Sequence, residues 1–127
     1  MPRSPFLLVC LAFMVCHRGR AAAEEPLQFN RDIRPILSDK CFPCHGPDVA
    51  ARQADLRLDE RSHVLADRAD GPVIVPGDSR ASLLFRRLMA NDEAERMPPA
   101  DSGLELTPAE RERIGQWIDE GANYESH

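Results

Sequence analysis

A small, mainly α-helical domain is what this 127-residue sequence predicts, and three observations carry the prediction. Phe29, Ile33, Ile36 and Leu37 recur at the spacing of one helix face. Thr107-Pro108-Ala109-Glu110 has the composition of a helix start, and Ile114, Trp117 and Ile118 continue it as an apolar stripe. No stretch alternates apolar and polar residues strongly enough to build a sheet, and there are no repeats or low-complexity tracts.

The first 23 residues read as a removable signal peptide. Arg3 supplies a positive start, Phe6 to Val15 is an apolar run of ten residues, and Ala21-Ala22-Ala23 offers a small-residue cleavage site. The run is too short for a spanning helix, which needs about 20 residues. The chain is therefore expected to be exported, periplasmic or secreted, with no stable membrane insertion after cleavage; a retained short anchor is the alternative. Cleavage after Ala23 removes three arginines from 16 basic and 21 acidic residues, leaving residues 24–127 as one domain with a formal charge of −8. That acidity argues against nucleic acid and anionic membrane as partners and mildly favours a basic protein. Cys10 and Cys16 leave with the signal, so Cys41 and Cys44 are the only thiols of the remainder and make no disulfide framework.

From Leu27 to Lys40 a short, irregular helix is expected, kinked or restarted at Pro35, which lacks an N–H. Gly46-Pro47-Asp48 is a turn cluster. Residues 49–72 read as loop with one helical turn near 61–66, and Val73-Ile74-Val75 as a brief extended run stopped by Pro76-Gly77. Asp78 or Ser79 is expected to cap the next helix, with Leu83, Leu84, Leu88 and Phe85 on its inner face and Arg86 and Arg87 mostly outside. A polar, proline-containing loop spans 91–103. The last helix has Thr107 as its cap, Pro108 at its first position, Glu110 closing a capping box, and Gly121 at its end.

Chemistry concentrates in Cys41-Phe42-Pro43-Cys44-His45. Two thiols three positions apart followed by an imidazole are what covalent attachment of one haem c requires: each thiol adds to a vinyl group, and His45 serves as proximal iron ligand. Two other chemistries share the paired cysteines. Dithiol redox normally sits in a βαβ frame, and no strand precedes Cys41. Zinc needs two further ligands, and His45, His63 and His127 do not form a partner pair. For the second axial position Met97 is preferred, because Pro98 and Pro99 stiffen the loop that would present it. His63 would give a bis-His iron of lower potential, and an open iron is the third possibility. Met89 fits core packing better than ligation. Arg57, Arg86 and Arg87 are candidate propionate partners, and Trp117 is expected to pack in the core.

With these residues in view, the sequence resembles the planctomycete-type cytochrome c domain. The resemblance rests on Phe29-Asn30-Arg31-Asp32-Ile33-Arg34-Pro35-Ile36-Leu37 running into Cys41-x-x-Cys44-His45-Gly46-Pro47-Asp48. It continues through Leu56-Arg57-Leu58-Asp59, Ile74-Val75-Pro76-Gly77-Asp78, Arg96-Met97-Pro98-Pro99 and Trp117-Ile118-Asp119-Glu120-Gly121-Ala122. It implies a small class I cytochrome c-like helical domain wrapped around one covalently attached haem, with the first and last helices crossing. By position it implies Cys41 and Cys44 as attachment points, His45 as proximal ligand and Met97 as distal ligand. In that family the domain usually opens a much longer secreted protein, whereas this chain stops at His127; a stand-alone carrier, a subunit supplying its module in trans and a truncated gene are the three expectations.

The reading is a one-electron carrier rather than an enzyme, exchanging electrons with redox partner proteins. Its alternatives are a haem sensor or enzyme module with an open or bis-His iron, the haem module of a larger secreted oxidoreductase system, and a haem-free thiol redox protein.

Overall fold

The computed structural model of the chain describes Met1 and residues 24–126; the signal peptide read from the sequence lies outside the described residues. The described residues are helical, with no strand: a five-residue π-helical turn (Phe29–Ile33), α1 (Arg34–Lys40), α2 (Phe42–His45), α3 (Arg61–Leu65), α4 (Leu83–Met89), a 3₁₀ turn (Ala100–Ser102) and α5 (Pro108–Asp119). The expected irregular first helix is the π turn followed by α1. Arg34 donates to the Phe29 carbonyl five residues back, and Pro35 falls in the first turn of α1, where no intrahelical N–H partner is lost.

The amide groups that open a helix need acceptors, and here the far end of the chain supplies most of them. The Leu27 N–H donates to Glu120 Oε2 at 2.8 Å, Phe29 N–H to Glu125 Oε1 at 3.1 Å and Asn30 N–H to Glu125 Oε2 at 3.3 Å. Asp32 accepts from Gln28 N–H at 2.8 Å. The same seam is closed by aromatic packing. Phe29 lies against Tyr124 with ring centres 4.4 Å apart and against Trp117 at 5.6 Å, while Trp117 meets Tyr124 edge-on at 5.3 Å. Trp117 is thus a core residue, as expected, and its indole N–H donates to the Asn123 carbonyl at 3.0 Å. First and last helical segments pack on each other through these rings, with Ile33, Ile114 and Ile118 fully buried beside them.

The capping box of α5 forms as read from the sequence: Thr107 Oγ1 accepts from Glu110 N–H, and the Glu110 carboxylate accepts from Thr107 N–H. The cap of α4 does not. That helix begins at Leu83, with Ser82 before it and no side-chain cap. Asp78 instead accepts from Ala81 N–H within the preceding turn, and Ser79 is bound through its N–H and hydroxyl to the Asp119 carboxylate, at 2.7 and 3.2 Å. Ser82, completely buried, holds the same turn by accepting from Val75 N–H and donating to the Asp78 carbonyl, both at 2.8 Å. Val73 and Ile74 are buried in the core without a ladder; the run leaves a single bridge between Val75 and Asp78. The helix at Arg61–Leu65 matches the turn expected in the long loop.

Helix α4 lies on α5 at a close approach that a glycine permits. A Cβ on Gly115 would sit 2.7 Å from the Phe85 ring, well inside van der Waals contact. Leu84 and Leu88 form the buried face of α4, Phe85 and Leu83 are half-buried, and Arg86 is exposed.

Candidate functional site

Cys41 caps α2 and the single turn Phe42–His45 follows it, with the His45 and Cys44 N–H groups donating to the Cys41 carbonyl at 2.8 and 3.1 Å. This local hydrogen bonding brings both thiols and the imidazole to one side of the chain. Gly46 ends the turn so tightly that a Cβ there would lie 2.5 Å from the Phe42 carbonyl oxygen. Cys41 is buried and Cys44 half-buried, and neither is in a disulfide.

A second contact fixes the histidine. His45 Nδ1 lies 3.2 Å from the Gln53 carbonyl oxygen. A carbonyl only accepts, so Nδ1 carries the proton and Nε2 keeps the free lone pair. Burial pushes the imidazole below its ordinary pKa, and the nearby Arg68 charge acts in the same direction, against the Gln53 bond. Burial and the Arg68 charge both favour a neutral ring, the form that ligates iron. Gln53 itself is anchored by its N–H on the Cys44 carbonyl at 2.7 Å, and Leu58 N–H donates to the His45 carbonyl at 2.9 Å.

Met97 approaches from the opposite end of the sequence. Its N–H donates to the Arg87 carbonyl at the end of α4, at 3.1 Å, and the Arg87 guanidinium donates to the Glu95 carbonyl at 3.2 Å. Asp92 organises the intervening turn, accepting from Ala94, Glu95 and Arg96 N–H groups. Pro98 and Pro99 come next, and Ser102 folds back on the Pro99 carbonyl through its hydroxyl, at 2.6 Å.

Cys41, Cys44, His45 and Met97 all line one cavity that opens to solvent. Its walls are apolar, with Leu56, Leu58, Val73, Leu84 and Leu88 among them, and Lys40, Arg68 and Arg87 contribute cations. His63 sits on α3 and does not line this cavity. Met89 is 53% exposed, so the expectation that it packs in the core is wrong: one position beyond Leu88 turns it to solvent. Of the three arginines considered as carboxylate partners, Arg57 is paired with Asp59 and Glu60, Arg86 is exposed, and Arg87 reaches the cavity. Lys40, Arg68 and the Gln53 carbonyl were missed. Only the acceptor role of a backbone group and the chain's path in three dimensions bring them there.

The two competing thiol chemistries find little support. Burial, followed by the neighbouring Cys44, pushes the Cys41 thiol up to about 12, whereas a redox-active cysteine needs a lowered pKa and access to solvent. Among the described residues no three His, Cys, Asp or Glu side chains converge to hold a metal ion, which leaves zinc without the ligands it needs.

Residues 41–101 match the family model for planctomycete cytochrome C. The chain carries a planctomycete-type cytochrome c domain. The matched segment begins at Cys41 and runs past Met97, so it contains Cys41, Cys44, His45 and Met97. No curated protein and no solved structure matches the chain. A cytochrome c domain is a haem-binding electron-transfer module, and the cavity has the donor chemistry for that group: two thiols, an imidazole, a thioether, apolar walls and cations. No helix of the described residues is long and apolar enough to cross a membrane.

Proposed function

We propose that this chain is an exported monohaem c-type cytochrome that carries single electrons between protein partners and turns over no substrate. The observation that carries the proposal is the convergence of Cys41, Cys44, His45 and Met97, from segments some fifty residues apart in sequence, on one apolar cavity. When bound there, haem supplies a one-electron iron couple. The chain's residues do the rest. Cys41 and Cys44 tether the macrocycle as thioethers, His45 presents Nε2 while Gln53 holds Nδ1, and Met97 offers sulfur from a loop anchored on α4. The leucines and Val73 keep water from the site, and with a thioether ligand this raises the reduction potential. Arg87, Arg68 and Lys40, which line the cavity, are the cations that would neutralise haem carboxylates.

The test is expression with residues 1–23 in a host competent for cytochrome c maturation, then visible spectra before and after denaturing extraction. Haem that stays with the polypeptide, and a ferric thioether-to-iron charge-transfer band that Met97→Ala abolishes, are the expected results. Retained haem with a spectrum indifferent to Met97→Ala would remove Met97 from the axial position. A chain without retained haem, carrying two free thiols or a reducible Cys41–Cys44 bond, would overturn the proposal.

A further inference from the structure

Two consecutive residues near the site, Ala54 and Asp55, stand in the left-handed region with φ of 53° and 47°. Neither is glycine, and L side chains adopt this conformation reluctantly, so something must hold the pair there. Burial does not, because Gln53, Ala54 and Asp55 are all exposed. Hydrogen bonds do. Arg68, from beyond α3, donates through Nη2 to the Ala54 carbonyl at 2.5 Å and through Nη1 to the Asp55 carbonyl at 3.4 Å. On the other side Arg52 donates to the Gly46 and Pro47 carbonyls, at 3.1 and 3.2 Å, and fastens the turn after the histidine.

The residue immediately before the strained pair is Gln53, whose carbonyl meets His45 Nδ1. The direction of that carbonyl is set by the Gln53–Ala54 peptide plane, and the left-handed pair fixes the backbone on the C-terminal side of that plane. We infer that Arg68 is a positioning residue for His45: its forked guanidinium holds Ala54 and Asp55 in the left-handed conformation, which keeps the Gln53 carbonyl on the imidazole. A guanidinium suits the task because two donors in one plane can engage successive carbonyls, which a lysine cannot do with the same geometry. The inference rests on the ligand role proposed for His45, since an imidazole that binds iron has to be held in one tautomer and one orientation.

The experiment reads the His45 Nδ1 proton by nitrogen–proton NMR in the reduced protein, with amide exchange in α5 as the reference for global opening. Arg68→Gln is expected to speed Nδ1–H exchange about tenfold, the loss of a net hydrogen-bond contribution, while α5 amides change little. Glycine adopts positive φ without strain, so adding Ala54→Gly and Asp55→Gly to Arg68→Gln is expected to recover most of the protection. Ala54→Val, at an exposed residue that also lines the cavity, aggravates the strain and is expected to speed exchange with Arg68 present while α5 amides stay protected. Exchange at the wild-type rate in either Arg68→Gln or Ala54→Val would overturn the inference, as would a triple variant no better protected than Arg68→Gln alone. A wild-type chain that holds no haem would refute the haem reading instead. The same comparison on that haem-free chain would still decide whether Arg68 sets the ring.

Discussion

Replacing Tyr124 with Phe isolates one hydrogen bond at the seam between the chain's two ends. Tyr124 is the chain's one tyrosine. Its ring packs on Phe29 and Trp117, and its hydroxyl donates to the Leu58 carbonyl at 2.8 Å. The phenyl ring keeps the packing and removes the donor, leaving a carbonyl of a residue 2% exposed without its partner. The expected loss is about 1–1.5 kcal/mol at neutral pH, a fall of about 4–8 °C in midpoint for each kcal/mol in a domain of this size. The same hydroxyl makes the effect depend on pH. Burial first, and then the Asp59 carboxylate, push the phenol above its ordinary value of 10.0. The folded chain therefore keeps the proton where the unfolded chain has lost it. Stability from Tyr124 is fully present below pH 10 and falls as pH rises beyond it, by about 1.4 kcal/mol per pH unit until the folded phenol itself ionises. Wild type and Tyr124→Phe should differ at pH 7 and converge at about pH 11, where the linkage term equals the hydrogen bond. Urea unfolding of both proteins across that range is the assay. Equal stability at pH 7, or curves that stay parallel through the alkaline range, would refute the reasoning.

Thr107→Ala removes one half of the capping box and should cost about 1 kcal/mol, read by denaturant unfolding; Thr107→Ser should recover most of it. Gly115→Ala places a methyl against the Phe85 ring, so overpacking of about 1–3 kcal/mol opposes a helix-propensity gain of about 1 kcal/mol. In a Phe85→Leu background the same change should turn stabilising, and a double-mutant cycle measures the reversal.

Features governed by neighbouring residues were legible in the sequence. The capping box needs only Thr107 and Glu110, and the turn at Cys41–His45 needs only its own backbone, so both stand where the residues put them. Pro35 likewise marked the change of helical register. Features governed by distant partners were not legible. Asp78 and Ser79 looked like caps for α4, but Ser79 is held by Asp119 forty residues on, and the helix starts at Leu83. Met89 looked like core by its place beside Leu88, and only the orientation of α4 against α5 shows it facing water. Arg57 reads from sequence as a candidate propionate partner, but its guanidinium is paired with Asp59 and Glu60 in a loop whose path the sequence does not give. The Gln53 carbonyl carries no sequence signal at all, since every residue has one.

The two sides of the cavity are held by different parts of the chain, and this decides how each side responds to perturbation. The histidine side is local. Residues 41–58 are tied to themselves through the Cys44, His45 and Gln53 backbone and through Arg52, and to the chain's end by the Tyr124 hydroxyl on Leu58. The methionine side hangs on α4, whose Arg87 carbonyl receives the Met97 N–H and whose Phe85 ring meets Gly115 of α5. A change at the α4–α5 contact therefore reaches Met97 through one helix, whereas it reaches His45 by a longer route, through the aromatic seam of α5 and the Tyr124–Leu58 hydrogen bond. Loosening that contact should disturb the thioether before the imidazole. If Met97 ligates as proposed, it is then the ligand whose loss reports strain in the fold, while His45 depends on the local hydrogen bonds that Arg68 and Arg52 make.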